Sequence, residues 1–245
     1  MSEIDNIIPK DKWEFDADVA DCFSDMLSRS IPQYDVMRNS SANLVTSIIE
    51  QNNSYRDFTI LDIGCSDGLM IQAMLEKLKG NKGRFVGVDV SEPMLEKAIN
   101  RFEIINSVTA NTVVIKNCDL RYEFPKNNYD VITSILSIQF IPIEYRQHII
   151  QNIYDNLIPG GAFIFVEKVL GNTDKLNKLF VKNYYGMKEA NGYSKEQIER
   201  KRLSLEGVLV PVTSDWNKNL LQQAGFREID TYWRWMNFVG YIAIK

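Results

Sequence analysis

Between Phe58 and Val169 the sequence alternates short apolar runs with stretches of helical periodicity, and this alternation restricts the fold more than any other feature. The runs are FTILDIG (58–64), RFVGVDV (84–90), TVVIKN (112–117), YDVITSIL (129–136) and GAFIFVEKV (161–169). Runs of this length without polar alternation suit strands buried on both faces, and the segments between them are long enough for crossover helices. The pattern predicts a parallel sheet covered by helices on both sides. Beyond Glu167, residues 172–207 have helical texture and no strand signal, and a helix over 214–224 ends at Gly225, a suitable C-cap. FREIDTYWRW and MNFVGYIAIK then lie close enough to form an antiparallel hairpin at the sheet edge. Upstream, Phe15, Val19, Phe23, Met26 and Leu27 recur at helical spacing, Pro32 interrupts, and Met37, Leu44, Val45, Ile48 and Ile49 mark a second helix. No internal repeat or long Pro/Gly/Ser linker divides the 245 residues. The expectation is an α/β, Rossmann-like single domain over 1–245, with an N-terminal helical cap (13–51) and a helical insert (172–207).

Residue counts then remove several chemistries. One histidine, His148, excludes a two-histidine zinc site, and its place in EYRQHIIQNIY predicts a helix flank with no catalytic role. Three widely spaced cysteines, Cys22, Cys65 and Cys118, provide neither a disulfide framework nor a CxxC pair, so no metal site is expected. Reduced thiols, no leader-like apolar run at the N-terminus and no stretch of membrane-spanning length predict a cytoplasmic protein without a membrane partner. The net charge of −4 and pI of about 5.2 argue against direct nucleic-acid binding over a large face.

Chemistry concentrates in the loops after the strands. In LDIGCSDGLM (61–70) a strand ends in Asp62, a turn of small residues follows and a helix begins. Such a turn lets main chain approach a ligand while the helix N-terminus offers free N–H groups. Asp89 ends the second strand about 20 residues further on, the position for an acid that accepts both ribose hydroxyls. Asp119 follows the third strand, where an acid can address an adenine amine, and LIPGGAFIF (157–165) gives the fifth strand its Pro-Gly-Gly entry.

This ordered set resembles the class I S-adenosylmethionine-dependent methyltransferases, which implies a seven-stranded sheet ending in an antiparallel hairpin. Ser66, where many glycine-rich turns have glycine, is compatible with a cofactor that has no pyrophosphate. A narrower resemblance rests on WEFDADVADCFSDMLSRSIPQY (13–34), SIQFIP (137–142), Glu167-Lys168, ANGYS (190–194), KRLSLE (201–206) and the terminal MNFVGYIAIK. These blocks, spread from Trp13 to the end, resemble the carboxy-S-adenosylmethionine synthases of the wobble-uridine oxyacetic acid tRNA pathway. The resemblance implies S-adenosylmethionine, or its carboxylated form, as cofactor, prephenate as small-molecule substrate, and a homodimer. Carried over by position, it implies cofactor binding by Tyr34, Gly64, Cys65, Ser66, Asp89, Val90, Asp119, Leu120 and Arg202. Arg202 would also be catalytic, gripping the added carboxylate through two charge-assisted hydrogen bonds. The implied chemistry needs no protein base: prephenate loses carbon dioxide, its expelled hydroxide deprotonates the sulfonium methyl, and the ylide captures the carbon dioxide. Ile135 stands where the family has an asparagine, leaving only its backbone carbonyl for the cofactor. Asp67 replaces an apolar residue, Val90 a polar one, and Tyr184 and Tyr185 fall where histidines are usual. These departures leave open a small-molecule methyltransferase on the same scaffold, and a third reading is a non-catalytic cofactor-binding or tRNA-associated module. Tyr232, Trp233, Trp235, Phe238 and Tyr241 are expected in most cases to pack in the core; together with the insert they are also the candidate surface for a partner subunit, with Arg202 near it.

Overall fold

The computed structural model describes residues 3–52, 57–78, 80, 82–108 and 111–245. Helices α1 (Ala17–Ser30) and α2 (Tyr34–Asn52) precede the sheet. Strands β1 (Phe58–Ile63), β2 (Gly83–Asp89), β3 (Thr112–Asn117), β4 (Tyr129–Ile135) and β5 (Leu157–Leu170) follow, with α3 (Leu69–Lys77), α4 (Glu92–Val108) and α5 (Ile143–Asn156) between them. The insert supplies α6 (Asp174–Ala190) and α7 (Lys195–Ser204), then come β6 (Val212–Thr213), α8 (Ser214–Ala224), β7 (Glu228–Trp235) and β8 (Phe238–Ile244). The main sheet runs β3-β2-β1-β4-β5-β8-β7, parallel through β5 and antiparallel at β8 and β7. Seven main strands were expected. The two-residue β6 adds a short parallel pairing beside Val169 and Leu170, too short for any periodicity to announce it. The hairpin forms as expected, although β8 is interior and only β7 lies at the edge.

Alternate side chains divide between two cores, as the pleat requires. Ile60, Phe85, Val113, Val131 and Ile164 pack with residues of α2, α3 and α4. Leu61, Val86, Ile132, Phe163 and Tyr241 pack on the other face with α5 and α8. Helix ends follow the side chains that satisfy them. Asp16 caps α1 by accepting the Val19 N–H, and Ser194 and Gln197 form a reciprocal capping box on α7. Gly225 closes α8 at φ +114°, where a Cβ would press on the Tyr154 ring at 2.9 Å. His148 is exposed on α5, with Nε2 3.0 Å from the Asn152 amide nitrogen.

The cap and insert lie over the carboxyl ends of the parallel strands, and a strap starting at residue 3 binds them together. The Trp13 N–H donates to the Ser204 carbonyl, and the Asn191 amide donates to the Arg29 carbonyl. Asp5 is buried, so the cap begins well before Trp13. Behind the strand ends, the fully buried Arg146 donates to the carbonyls of Ile141 (2.8 Å), Gln139 (3.0 Å) and Val210 (2.9 Å). It thereby joins the 3-10 turn Ile138–Phe140 to the chain returning from the insert. Arg146→Ala should cost about 3–5 kcal/mol and lower Tm by about 6–15 °C. Differential scanning calorimetry checks this, and an unchanged Tm would contradict the role given to Arg146.

Candidate active site

The turn after β1 is shaped by three residues with positive φ: Gly64 (+65°), Ser66 (+52°) and Gly68 (+85°). A Cβ on Gly64 would lie 1.9 Å from the Ser137 Oγ, and one on Gly68 would meet the Phe102 ring at 2.5 Å, so neither position admits a side chain. Ser66 takes the same left-handed region without glycine's freedom, at a cost of about 1–2 kcal/mol. Asp89 holds the turn in place. Its carboxylate accepts the N–H groups of Ser66 (2.9 Å), Val90 (2.8 Å) and Ser91 (3.0 Å). Asp67 is buried, and Arg101 of α4 reaches its carboxylate (2.8 Å) and its backbone carbonyl (2.7 Å). Burial raises the Asp67 carboxyl while Arg101 opposes the rise, so its charge has a counterion behind the turn.

A cavity of about 430 Å³ opens against this turn, within the usual size range of small-molecule sites. Tyr34, Gly64, Cys65, Ser66, Asp89, Val90, Asp119, Leu120 and Ile135 all line it. Nine positions from four strand ends and one cap helix therefore converge. Val90 is at the rim, 60% exposed, whereas Leu120 is buried. The Asp119 carboxylate is already engaged by Arg121, at 2.9 and 3.0 Å from Nε and 2.5 Å from Nη2, which holds its carboxyl below the usual range. The Tyr34 ring lies under the Arg38 guanidinium at 4.9 Å, and burial pushes its hydroxyl up to about 12. Among the described residues that line the cavity, four carry a buried polar atom without a partner: Arg38 Nε, Asp62 Oδ2, Ser66 Oγ and Asp67 Oδ1. Asp62 uses its other oxygen to accept the Thr133 hydroxyl at 2.6 Å, and burial pushes its carboxyl up to about 7. Such orphaned oxygens beside a tight turn suit a ligand with an ammonium or hydroxyl donor.

Arg202 lies elsewhere. On α7 it pairs with Glu199 at 2.8 Å and Glu206 at 3.5 Å, and it borders a smaller adjoining cavity with Tyr185. These acids raise its guanidinium further above its ordinary value. The adjacent Lys201 is the residue that turns inward and lines the large cavity, about 100° round the helix from Arg202. Lys168 and Lys188 line the same wall, with Tyr184 and the cap aromatics Trp13, Phe15 and Phe23. The sequence assigned none of the three lysines a role, although two of them stand in the blocks Glu167-Lys168 and KRLSLE, because lysine in a helical stretch such as that of Lys188 and Lys201 reads as solvated. Glu167 is also buried, and burial pushes its carboxyl up to about 8, opposed by the nearby Arg146 guanidinium and the backbone of residues 137–139. Among the described residues, no group of three or more His, Cys, Asp or Glu side chains is placed to hold a metal ion. No described helix is long and apolar enough to cross a membrane.

Residues 60–161 match the family model described as a methyltransferase domain. The chain is 36% identical to the carboxy-S-adenosyl-L-methionine synthase of Methylococcus capsulatus, over 96% of this chain and 94% of that one. It is 35% identical to the synthase of Staphylococcus epidermidis, over 96% and 97%. Among solved structures, the CurJ carbon methyltransferase superposes with TM-score 0.67 at 14% identity, covering 93% of this chain. This chain spans only 59% of that larger protein. Magnesium protoporphyrin IX methyltransferase from Synechocystis, with S-adenosylhomocysteine bound, gives 0.55 at 13% identity, covering 86% and 84%. These structural likenesses establish the fold.

Two outcomes follow from this geometry. With S-adenosylhomocysteine as a calorimetric probe, Asp89→Ala should weaken binding by about tenfold or more, since the turn loses the three hydrogen bonds that hold it. Asp62 must be ionised to hold an ammonium, so affinity should strengthen from about pH 5 to pH 7 and then level off. Asp62→Asn should abolish that slope, and a slope that persists in the variant would refute the assignment.

Proposed function

The chain belongs to the carboxy-S-adenosyl-L-methionine synthase family, and on that premise we propose that it converts S-adenosylmethionine and prephenate to carboxy-S-adenosylmethionine, phenylpyruvate and water. The reading treats residues 1–245 as one S-adenosylmethionine-binding unit closed by its cap and insert. Tyr34, Gly64, Cys65, Ser66, Asp89, Val90, Asp119 and Leu120 line the cofactor end, where Asp62 and Ser66 offer unpartnered oxygens. Ile135 contributes backbone only. The observation that carries the reading is the charge on the cavity wall, where Asp62 and Asp89 come from β1 and β2 and Lys168, Lys188 and Lys201 from β5 and the insert. A site for an uncharged methyl acceptor has no use for buried lysines. The Asp67–Arg101 pair (2.8 Å) removes the objection that a carboxylate in the turn repels an anionic product.

The protein's part is to position, to exclude water and to supply fixed charge. Prephenate's ring carboxylate leaves as carbon dioxide, the released electron pair aromatises the ring, and hydroxide departs. The hydroxide takes one proton from the sulfonium methyl, and the carbanion so formed attacks carbon dioxide. No side chain must gain or lose a proton in this sequence. Arg202 is proposed to grip the added carboxylate. It would first leave Glu199 and Glu206, and exposed pairs of this kind are weakly held. We further propose a homodimer in the cytoplasm, with the insert and terminal hairpin at the interface near Arg202. Its product would supply wobble-uridine modification, with no RNA bound by this protein.

Incubation with both substrates should yield a sulfonium compound heavier than S-adenosylmethionine by one carbon dioxide, detected by mass spectrometry. Release of S-adenosylhomocysteine without that compound would indicate ordinary methyl transfer and overturn the reading. Arg202→Ala should reduce carboxylation by about a hundredfold or more while leaving S-adenosylhomocysteine binding intact. Native mass spectrometry at micromolar concentration should find the dimer.

A further inference from the structure

Lys168 at the end of β5, Lys188 on α6 and Lys201 on α7 come from three elements to one wall, bordering both the large cavity and its smaller neighbour. Their surroundings are mainly aromatic. The Lys168 ammonium stands 4.8 Å from the centre of the Tyr184 ring, and that of Lys188 is 4.9 Å from the Tyr193 ring and 5.7 Å from Tyr184. The Lys201 ammonium lies 4.3 Å over Trp13 and 3.9 Å from the Asp5 carboxylate. Among the described residues that is the only ion pair made by any of the three. Asp5 is itself committed, accepting the Tyr193 hydroxyl at 2.5 Å and the Ile7 N–H at 3.1 Å. Lys201 therefore has one engaged anion as partner, Asp5 acts on Lys188 without an ion pair, and Lys168 has no such partner among the described residues. Burial, together with repulsion from Lys201 and Lys168, pushes the Lys188 ammonium down to about 7, and burial pushes Lys168 and Lys201 down to about 8. Unpaired buried cations cost stability, and structural lysines are normally solvated or matched with acids. An arrangement that holds three near one another is understandable if an incoming anion completes it.

We propose that Lys168, Lys188 and Lys201 form the subsite for the dicarboxylate co-substrate, on the wall that β5 and the insert give the pocket. The assignment rests on the function proposed above and locates the second substrate within it. Tyr184 and Trp13, rings that line the cavity and already lie against ammonium groups, give the apolar body of such a molecule a surface to pack on. Chemistry favours a division of labour between the two carboxylates. Pairing stabilises a carboxylate against loss of carbon dioxide, so the lysines best serve the carboxylate retained in the α-keto acid product. The departing one is then left to face the sulfonium. A pocket of this kind rejects neutral acceptors by leaving its cations unpaired.

Lys168→Met and Lys188→Met test this, with Lys188→Arg as the conservative control. Lys201 is left intact because it neutralises Asp5. Each Met variant should raise KM for prephenate by about tenfold or more with a smaller change in kcat. Calorimetry with the product phenylpyruvate, on protein loaded with S-adenosylhomocysteine, should show a matching loss of affinity. Binding of S-adenosylhomocysteine itself should change by less than about threefold, and Lys188→Arg should recover most of the loss. Tm of unliganded Lys188→Met should equal or exceed that of the wild type, whereas a lysine retained for structure would lower it. Asp5, Arg29, Cys22, Tyr184 and Tyr193 face the cluster, and bound anion keeps its ammonium groups protonated. Wild-type KM should therefore rise as pH increases from about 7 to 9. Folded Met variants with prephenate KM and phenylpyruvate affinity both within about twofold of wild type would overturn the subsite. If Lys188→Met does not fold, Lys168→Met decides alone. Absence of carboxylated product from the wild type would overturn the proposed function instead, and phenylpyruvate calorimetry would still decide the lysines.

Discussion

The Asp5 carboxylate accepts the Tyr193 hydroxyl, while its N–H donates to Asp25 and its carbonyl accepts from Arg29. One nearly solvent-free residue thus joins the N-terminal strap, the first cap helix and the insert. The parallel sheet alone would present its strand ends to water, since the loops there are short and rich in small residues. Held by Asp5 on one side and by Arg146 beneath, the strap and insert wall off that edge and leave a cavity with an apolar lining. Desolvation at its wall accounts for the altered titration of Asp62 and the lysines. Closure and electrostatics in this pocket are consequences of the same packing.

The opposed charge on the cavity wall reconciles a sulfonium, which is cationic, with a partner that is anionic. Arg101 cancels Asp67 behind the turn, so the acids left along the cofactor end are Asp62, Asp89 and Asp119. Asp89 spends three hydrogen bonds on backbone N–H groups, and Asp119 is matched by Arg121. Asp62 retains an unpartnered oxygen for the ligand. Positions are fixed by backbone before any ligand arrives, as catalysis by orientation requires. The solitary His148, exposed on α5 and absent from the cavity wall, fits a reaction in which the co-substrate carries its own base.

Strands and helices were legible because burial on both faces leaves a continuous apolar run and burial on one face leaves a helical stripe. That Asp62, Gly64 and Asp89 would meet at one cavity was legible too, because they occupy strand ends whose order is fixed by topology. The lysine wall was not. Lys168, Lys188 and Lys201 lie 20 and 13 residues apart on three elements, and only tertiary packing shows that all face one cavity. Choosing between Lys201 and Arg202 needs the rotation of α7, which a helix with polar residues all round does not reveal. Residues 3–12 gave no periodic signal because the strap is irregular, yet Asp5 in it anchors the cap. The Asp67 departure was legible as a charge, but its neutralisation by Arg101, 34 residues away, was not.

The central claim is that carbon passes from one substrate to the other inside a closed pocket. Prephenate carrying carbon-13 in its ring carboxylate, incubated with S-adenosylmethionine in unlabelled bicarbonate, tests it most directly. The account predicts that the label appears undiluted in the carboxymethyl sulfonium product. Label found only in bicarbonate, with the sulfonium product unlabelled or absent, would contradict it.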